Sequence, residues 1–98
     1  MAFAINVTLA DMEFRGLQSG TSSRTGKPWM SLIFEDADTN QLSCSVPVDM
    51  QGDVYSLGLR KGDKCVISFR AVARADGESY VMLRAVPEIQ DDTFGDDE

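Results

Sequence analysis

Histidine is absent from the 98 residues, cysteine occurs twice, proline three times and tryptophan once. Without imidazole the chain lacks the side chain that most often serves as general base near neutral pH. Two cysteines alone do not complete a four-ligand zinc site, and Cys44 and Cys65 fall in apolar, strand-like runs, so both are expected to be reduced core or sheet residues. No stretch approaches the roughly 18 uninterrupted apolar residues of a membrane span. The N-terminus has neither the basic start nor the apolar run of a secretory signal. These deficits lead to the expectation of a cytoplasmic, non-enzymatic protein without cofactor, metal or membrane partner.

Basic residues are also scarce, nine Lys and Arg against sixteen Asp and Glu for a net charge of −7. That total argues against a polyanionic partner until its distribution is read. Glu88, Asp91, Asp92, Asp96, Asp97 and Glu98 crowd the segment beyond Pro87, which has no basic residue. Residues 1–87 therefore carry nine basic groups against ten acidic ones, a body near neutrality on which a local basic face can form. With 43% hydrophobic content, a chain this short has room for one domain. The expected division is a folded domain over residues 1–87 and an acidic tail over 88–98, disordered from about Gln90.

Within the body the apolar residues alternate. Phe3, Ile5, Val7 and Leu9 have the period of two that marks a strand with one buried face, with a bulge or bend expected at Ala10-Asp11 before Phe14 and Leu17. Gly16 to Pro28 is rich in turn residues and predicts a long, projecting first hairpin loop. Second and third strands are expected over Trp29 to Glu35 and Gln41 to Val48, with Pro47 marking an end or edge. Asp49 to Leu59 breaks the alternation and predicts a short helix or structured connection. Cys65 to Ala75 and Ser79 to Val86 form the last two strands, joined by the Asp76-Gly77 hairpin signal. Three strands, a connector and a final hairpin match an all-β, five-stranded OB-fold barrel, with an SH3-like barrel as the nearest competitor.

The stretch Ser23-Arg24-Thr25-Gly26-Lys27-Pro28-Trp29-Met30-Ser31-Leu32 resembles the DNA-binding wing of the filamentous-phage gene V-type single-stranded DNA-binding proteins. Tyr80-Val81-Met82-Leu83-Arg84-Ala85-Val86-Pro87 is similar to that family's closing strand, although Met82 stands where a second arginine would be. The resemblance implies a homodimeric OB-fold that coats single strands cooperatively with little sequence preference, in a bacterial host cell. It places Arg24 and Lys27 on phosphates and Trp29 at the aromatic position of the wing. The acidic tail departs from the family.

The residues themselves suit that role. A glycine-bearing loop with two cations and the only tryptophan can track a backbone and stack a base, whereas the bland alternative is a solvated hairpin with Trp29 folded onto the barrel. Arg15, Arg70, Arg74, Tyr80 and Arg84 complete the candidate nucleic-acid-binding set, with Tyr80 as a second stacking platform. Against this, Arg70, Arg74, Tyr80 and Arg84 could be an ordinary cross-strand surface set, Arg70 and Arg84 pairing with Glu78 or Glu13. Arg60, Lys61 and Lys64 are read as a solvated turn, and Tyr55 and Phe34 as core or interface. In the tail, Asp91, Asp92, Phe94, Asp96 and Asp97 are candidates for recruiting a replication or recombination protein, and the tail is expected to compete with DNA for the basic face. Single-stranded DNA is the expected partner, with RNA as the variant. The rival from another class is an OB-type protein-interaction module that uses the same hairpin.

Overall fold

A period-two pattern can bury only one face of each strand, and the chain solves this by curling its sheet on itself. The computed structural model describes residues 3–90. Its elements are β1 (Phe3–Thr21), β2 (Pro28–Glu35), β3 (Gln41–Ser45), α1 (Val48–Leu57), β4 (Lys64–Ala73), β5 (Ser79–Leu83) and β6 (Glu88–Ile89). The strands are ordered β1-β2-β3-β5-β4, and a β1–β4 pairing closes them into a five-stranded barrel. This arrangement, with one short helix between β3 and β4, is consistent with an OB-like barrel.

Closure requires β1 to serve two partners. Its first part pairs with β4, from Phe3 opposite Ala73 to Glu13 opposite Lys64, and its second part pairs with β2, from Glu13 opposite Glu35 to Thr21 opposite Pro28. The β4 ladder is interrupted by a bulge between Leu9 and Met12, where Asp11 takes a φ of 59°, and resumes with Met12 opposite Cys65 and Glu13 opposite Lys64, so Glu13 is shared by both ladders. A short polar side chain tolerates this left-handed conformation, and the irregularity expected at Ala10-Asp11 is borne out. Gln90 holds the bulge in place: its Nε2 donates to Asp11 Oδ1 at 3.0 Å and its Oε1 accepts from the Asp11 amide at 2.7 Å.

Inside the barrel, Met12, Phe14, Met30, Leu32, Phe34, Cys44, Val46, Cys65, Ile67, Phe69 and Leu83 are buried, and Val54 of α1 joins them from the helix. Phe14 and Phe34 meet edge to face with ring centroids 5.8 Å apart, a favoured aromatic geometry. Cys44 and Cys65 are free and buried, as expected. Burial pushes both thiols up to about 11, with the nearby Asp63 charge adding to the effect at Cys65. Both therefore remain protonated near neutral pH and behave as small apolar groups. The helix ends where Gly58 adopts φ 68°, a left-handed position that glycine fills without strain.

Several boundaries differ from the expectation: β3 ends at Ser45 rather than Val48, which opens α1, and β5 ends at Leu83 rather than Val86. The first hairpin loop is short, spanning only residues 22–27, because β1 continues to Thr21 through the glycine- and serine-rich stretch. Pairing with β2 outweighs the weak strand preference of Gly16, Ser19 and Gly20, and a second bulge between Phe14 and Gly16 absorbs the mismatch. In addition, Glu88–Ile89, read as the start of the tail, pair with β4 as Cys65 opposite Ile89 and Val66 opposite Glu88. The Gln90 amide extends this ladder to the Lys64 carbonyl at 2.8 Å. The tail candidates Asp91, Asp92, Phe94, Asp96 and Asp97 lie outside the described residues.

Candidate nucleic-acid interface

Strand alternation sorts the outer wall of the barrel from the core. With Leu32, Cys44 and Leu83 buried, their neighbours Ser31, Ser45 and Met82 point outward. Ser31 faces Ser45 across β2 and β3, Ser45 faces Met82 across β3 and β5, and Met82 faces Arg70 across β5 and β4. A single row of outward side chains thus crosses four strands. Trp29 lies two residues before Ser31 and Tyr80 two residues before Met82. Because β2 and β5 run in opposite directions, the two aromatics fall on opposite sides of the row. Strand spacings and rises put them about 16 Å apart along a diagonal.

Both aromatics are half open to solvent, Trp29 at 44% and Tyr80 at 45% exposure. Two adjoining depressions run between them and share Met82. One, of about 380 Å³, has Trp29, Ser31, Ser45, Val48 and Gln51 among its lining residues; the other, of about 410 Å³, is lined by Arg70, Tyr80, Met82, Leu83 and Arg84. Together they form a shallow groove with an aromatic ring near each end and a methionine at the middle. Among the described residues neither Arg70 nor Arg84 has an ion-pair partner, so the pairing considered with Glu78 or Glu13 is not formed. Their charge is available to the groove.

Trp29 owes its pose to Gly20. The two are directly opposed across β1 and β2, and a Cβ on Gly20 would lie 3.1 Å from Cε2, Cζ2 and Nε1 of the indole. A side chain at position 20 would make the indole give way by a few tenths of an ångström, so glycine suits this close approach. The bland alternative, Trp29 folded onto the barrel, is therefore correct for part of the ring, while the rest remains exposed.

Arg24 and Lys27 sit on the loop at the mouth of this hairpin, both exposed and without an ion-pair partner among the described residues. The loop has internal order: Ser22 Oγ accepts from the Arg24 and Thr25 amides at 3.3 Å each, the Gly26 amide donates to the Ser22 carbonyl at 2.8 Å, and Gly26 has φ 72°. Both cations are thus carried by a structured tip beside Trp29.

The other two candidates are placed differently. Arg15 donates to Glu13 at 2.8 Å and lines neither depression, so its charge is spent locally. Arg74 lies at the tip of the β4–β5 hairpin, 3.7 Å from Asp76, with both side chains more than half exposed. Sequence reading missed the groove floor: Ser31, Ser45, Met82, Gln18 and Gln51. Outward parity of the small polar residues on β2 and β3 is a signal for the serines, whereas nothing in the sequence marks Gln51.

A second surface lies beyond the end of the barrel. Phe3 and Ile5 continue the inward-facing row of β1, and Ala71, Ala73 and Val81 continue those of β4 and β5; together with Tyr80, which is shared with the groove, they line an open, mostly apolar hollow of about 480 Å³. Phe3 is 64% and Ile5 44% exposed.

The chain matches no family model, no curated protein and no solved structure. Its own geometry is therefore the basis for a functional reading.

Proposed function

We propose that this chain is an OB-fold single-stranded DNA-binding protein that coats single strands, with little sequence preference, during phage- or plasmid-type replication or recombination. The observation that carries the reading is the outer groove, which has Trp29 and Tyr80 near its two ends and, along its side, Arg70 and Arg84, neither of them in an ion pair among the described residues. Aromatic faces accept any base, and arginines beside them neutralise phosphates without reading sequence. Arg24 and Lys27 extend the cationic track at the Trp29 end. No bond is made or broken in this role, so it needs neither a catalytic residue nor a cofactor.

Titration with a single-stranded oligonucleotide at several salt concentrations tests the proposal. Four phosphate contacts, from Arg24, Lys27, Arg70 and Arg84, give a slope of log affinity against log salt of about −3 for a single strand. Alanine at any one of these positions should flatten the slope by about 0.7 and weaken all sequences alike. A flat salt response would sink the reading and favour a protein-docking module, and duplex bound as tightly as single strand would sink its single-strand preference.

The same proposal assigns the apolar hollow of Phe3, Ile5, Ala71, Ala73 and Val81 to a second copy of the chain. Two features support this: exposed large apolar side chains gathered on one surface are a common mark of an interface, and among the described residues no strand pairs with the outer edge of Phe3 to Leu9. Sedimentation should show a dimer that Ile5→Asp converts to a folded monomer. A wild-type protein that stays monomeric at the highest soluble concentration removes the homodimer from the proposal.

A further inference from the structure

The half of the groove beside Trp29 is lined by side chains of β1, β2 and β3 and of the start of α1. Its 380 Å³ slot is flanked by the indole, by Pro28 and Pro47, and by Val48 at the start of α1, with Gln18, Ser31, Ser45 and Gln51 as its polar lining. That volume lies at the small end of ligand pockets, suited to a compact ring rather than a large molecule.

Gln51 supplies the chemistry. Its Nε2 donates to the carbonyl oxygens of Val46 at 3.2 Å and Pro28 at 3.4 Å. Both partners can only accept, which fixes the orientation of the amide: the nitrogen is committed to the backbone and Oε1 remains as an acceptor. The Ser45 side chain is exposed, and among the described residues its hydroxyl makes no side-chain hydrogen bond, in contrast to Ser31, which pairs with Ser43 at 3.0 Å. The slot therefore combines a stacking face, an acceptor fixed in orientation and a free hydroxyl.

We propose that this slot is a nucleobase subsite that prefers a base with an exocyclic amine, cytosine above thymine, within otherwise sequence-tolerant binding. The inference rests on the single-strand reading above. A cytosine stacked on Trp29 places its N4 amine to donate to Gln51 Oε1, while the Ser45 hydroxyl donates to the ring N3 or O2. Thymine has the same ring but a carbonyl oxygen at C4, so two acceptors would face each other and one hydrogen bond would be lost. One net hydrogen bond at a partly exposed site corresponds to about a fivefold preference.

The test compares oligo(dC) with oligo(dT) of equal length at mildly alkaline pH and one salt concentration, following quenching of Trp29, the only tryptophan. The wild type is expected to bind oligo(dC) about fivefold more tightly. Val48→Phe, at a position 58% exposed, narrows the slot without touching the core and should bring the two oligonucleotides to equal affinity; circular dichroism confirms that the variant is folded. Equal affinities in the wild type overturn the base subsite and leave strand binding intact. A cytosine preference that survives in Val48→Phe places discrimination elsewhere and also overturns it. Binding of neither oligonucleotide overturns the subsite together with the strand-binding proposal.

Discussion

Replacing Trp29 and Tyr80 together with alanine is expected to weaken binding of single-stranded DNA by about 2–6 kcal/mol, from about thirtyfold to more than ten-thousandfold. The two rings stand at opposite ends of the groove, roughly 16 Å apart by strand geometry. Residues so separated, without shared partners, contribute nearly additively, so each single variant should account for about half of the logarithm of the loss. Neither ring belongs to the buried core, and the double variant should unfold at nearly the wild-type temperature. The check is an anisotropy titration with a labelled oligonucleotide, since the variant lacks the tryptophan whose quenching reports binding. Unchanged affinity in the folded double variant would take the aromatic groove out of consideration and leave only the cationic contacts.

Phe34→Ala is expected to cost about 3–5 kcal/mol of stability, a large part of the roughly 5–15 kcal/mol that holds a domain folded. Phe34 is fully buried, packs edge-on against Phe14 and lies on β2, the strand that carries Trp29 and Ser31 outward. Removing the ring leaves a cavity that a closed barrel cannot easily collapse to fill, and the thermal midpoint should fall on the order of 20 °C. Tyr55→Ala, at a helix position 74% exposed, is the control and should change stability by less than about 0.5 kcal/mol. Similar midpoints for the two variants, read by circular dichroism, would mean that the barrel interior tolerates a cavity at Phe34.

Strand positions were legible in the sequence because the alternation of Phe3 to Leu9, Met30 to Phe34 and Cys65 to Phe69 is a local signal. So was the bulge, since the alternation lapses at Ala10-Asp11. The length of the first hairpin loop was not, because glycine and serine are poor strand formers alone and enter β1 only through their partners on β2. Equally hidden was Glu88–Ile89, two residues whose pairing depends on an edge of β4 far away in sequence. For the groove, the aromatic ends and Arg70 and Arg84 could be read as candidates, but not that Arg15 is held by Glu13. The floor at Ser45 and Met82 depends on parallel pairing of β3 with β5, a contact between strands separated by α1 and β4. No local pattern encodes such a pairing.

That pairing is also the thinnest seam of the barrel. Ser45 opposite Met82 is the single residue pair of the β3–β5 ladder, whereas β2–β3 and β4–β5 have five each. Local opening should therefore begin along this line, separating β3 from β5 while β1 and β4 still hold the two halves together. A nucleic-acid strand bound from Trp29 to Tyr80, as proposed, would cross the same line. Its binding free energy then favours the shut form over the parted one, in proportion to how far the ligand exceeds its dissociation constant. The protein and its cargo would thus lend each other rigidity, and the amide protons of β5 that escape to solvent through the parted form are those whose escape a bound strand slows most.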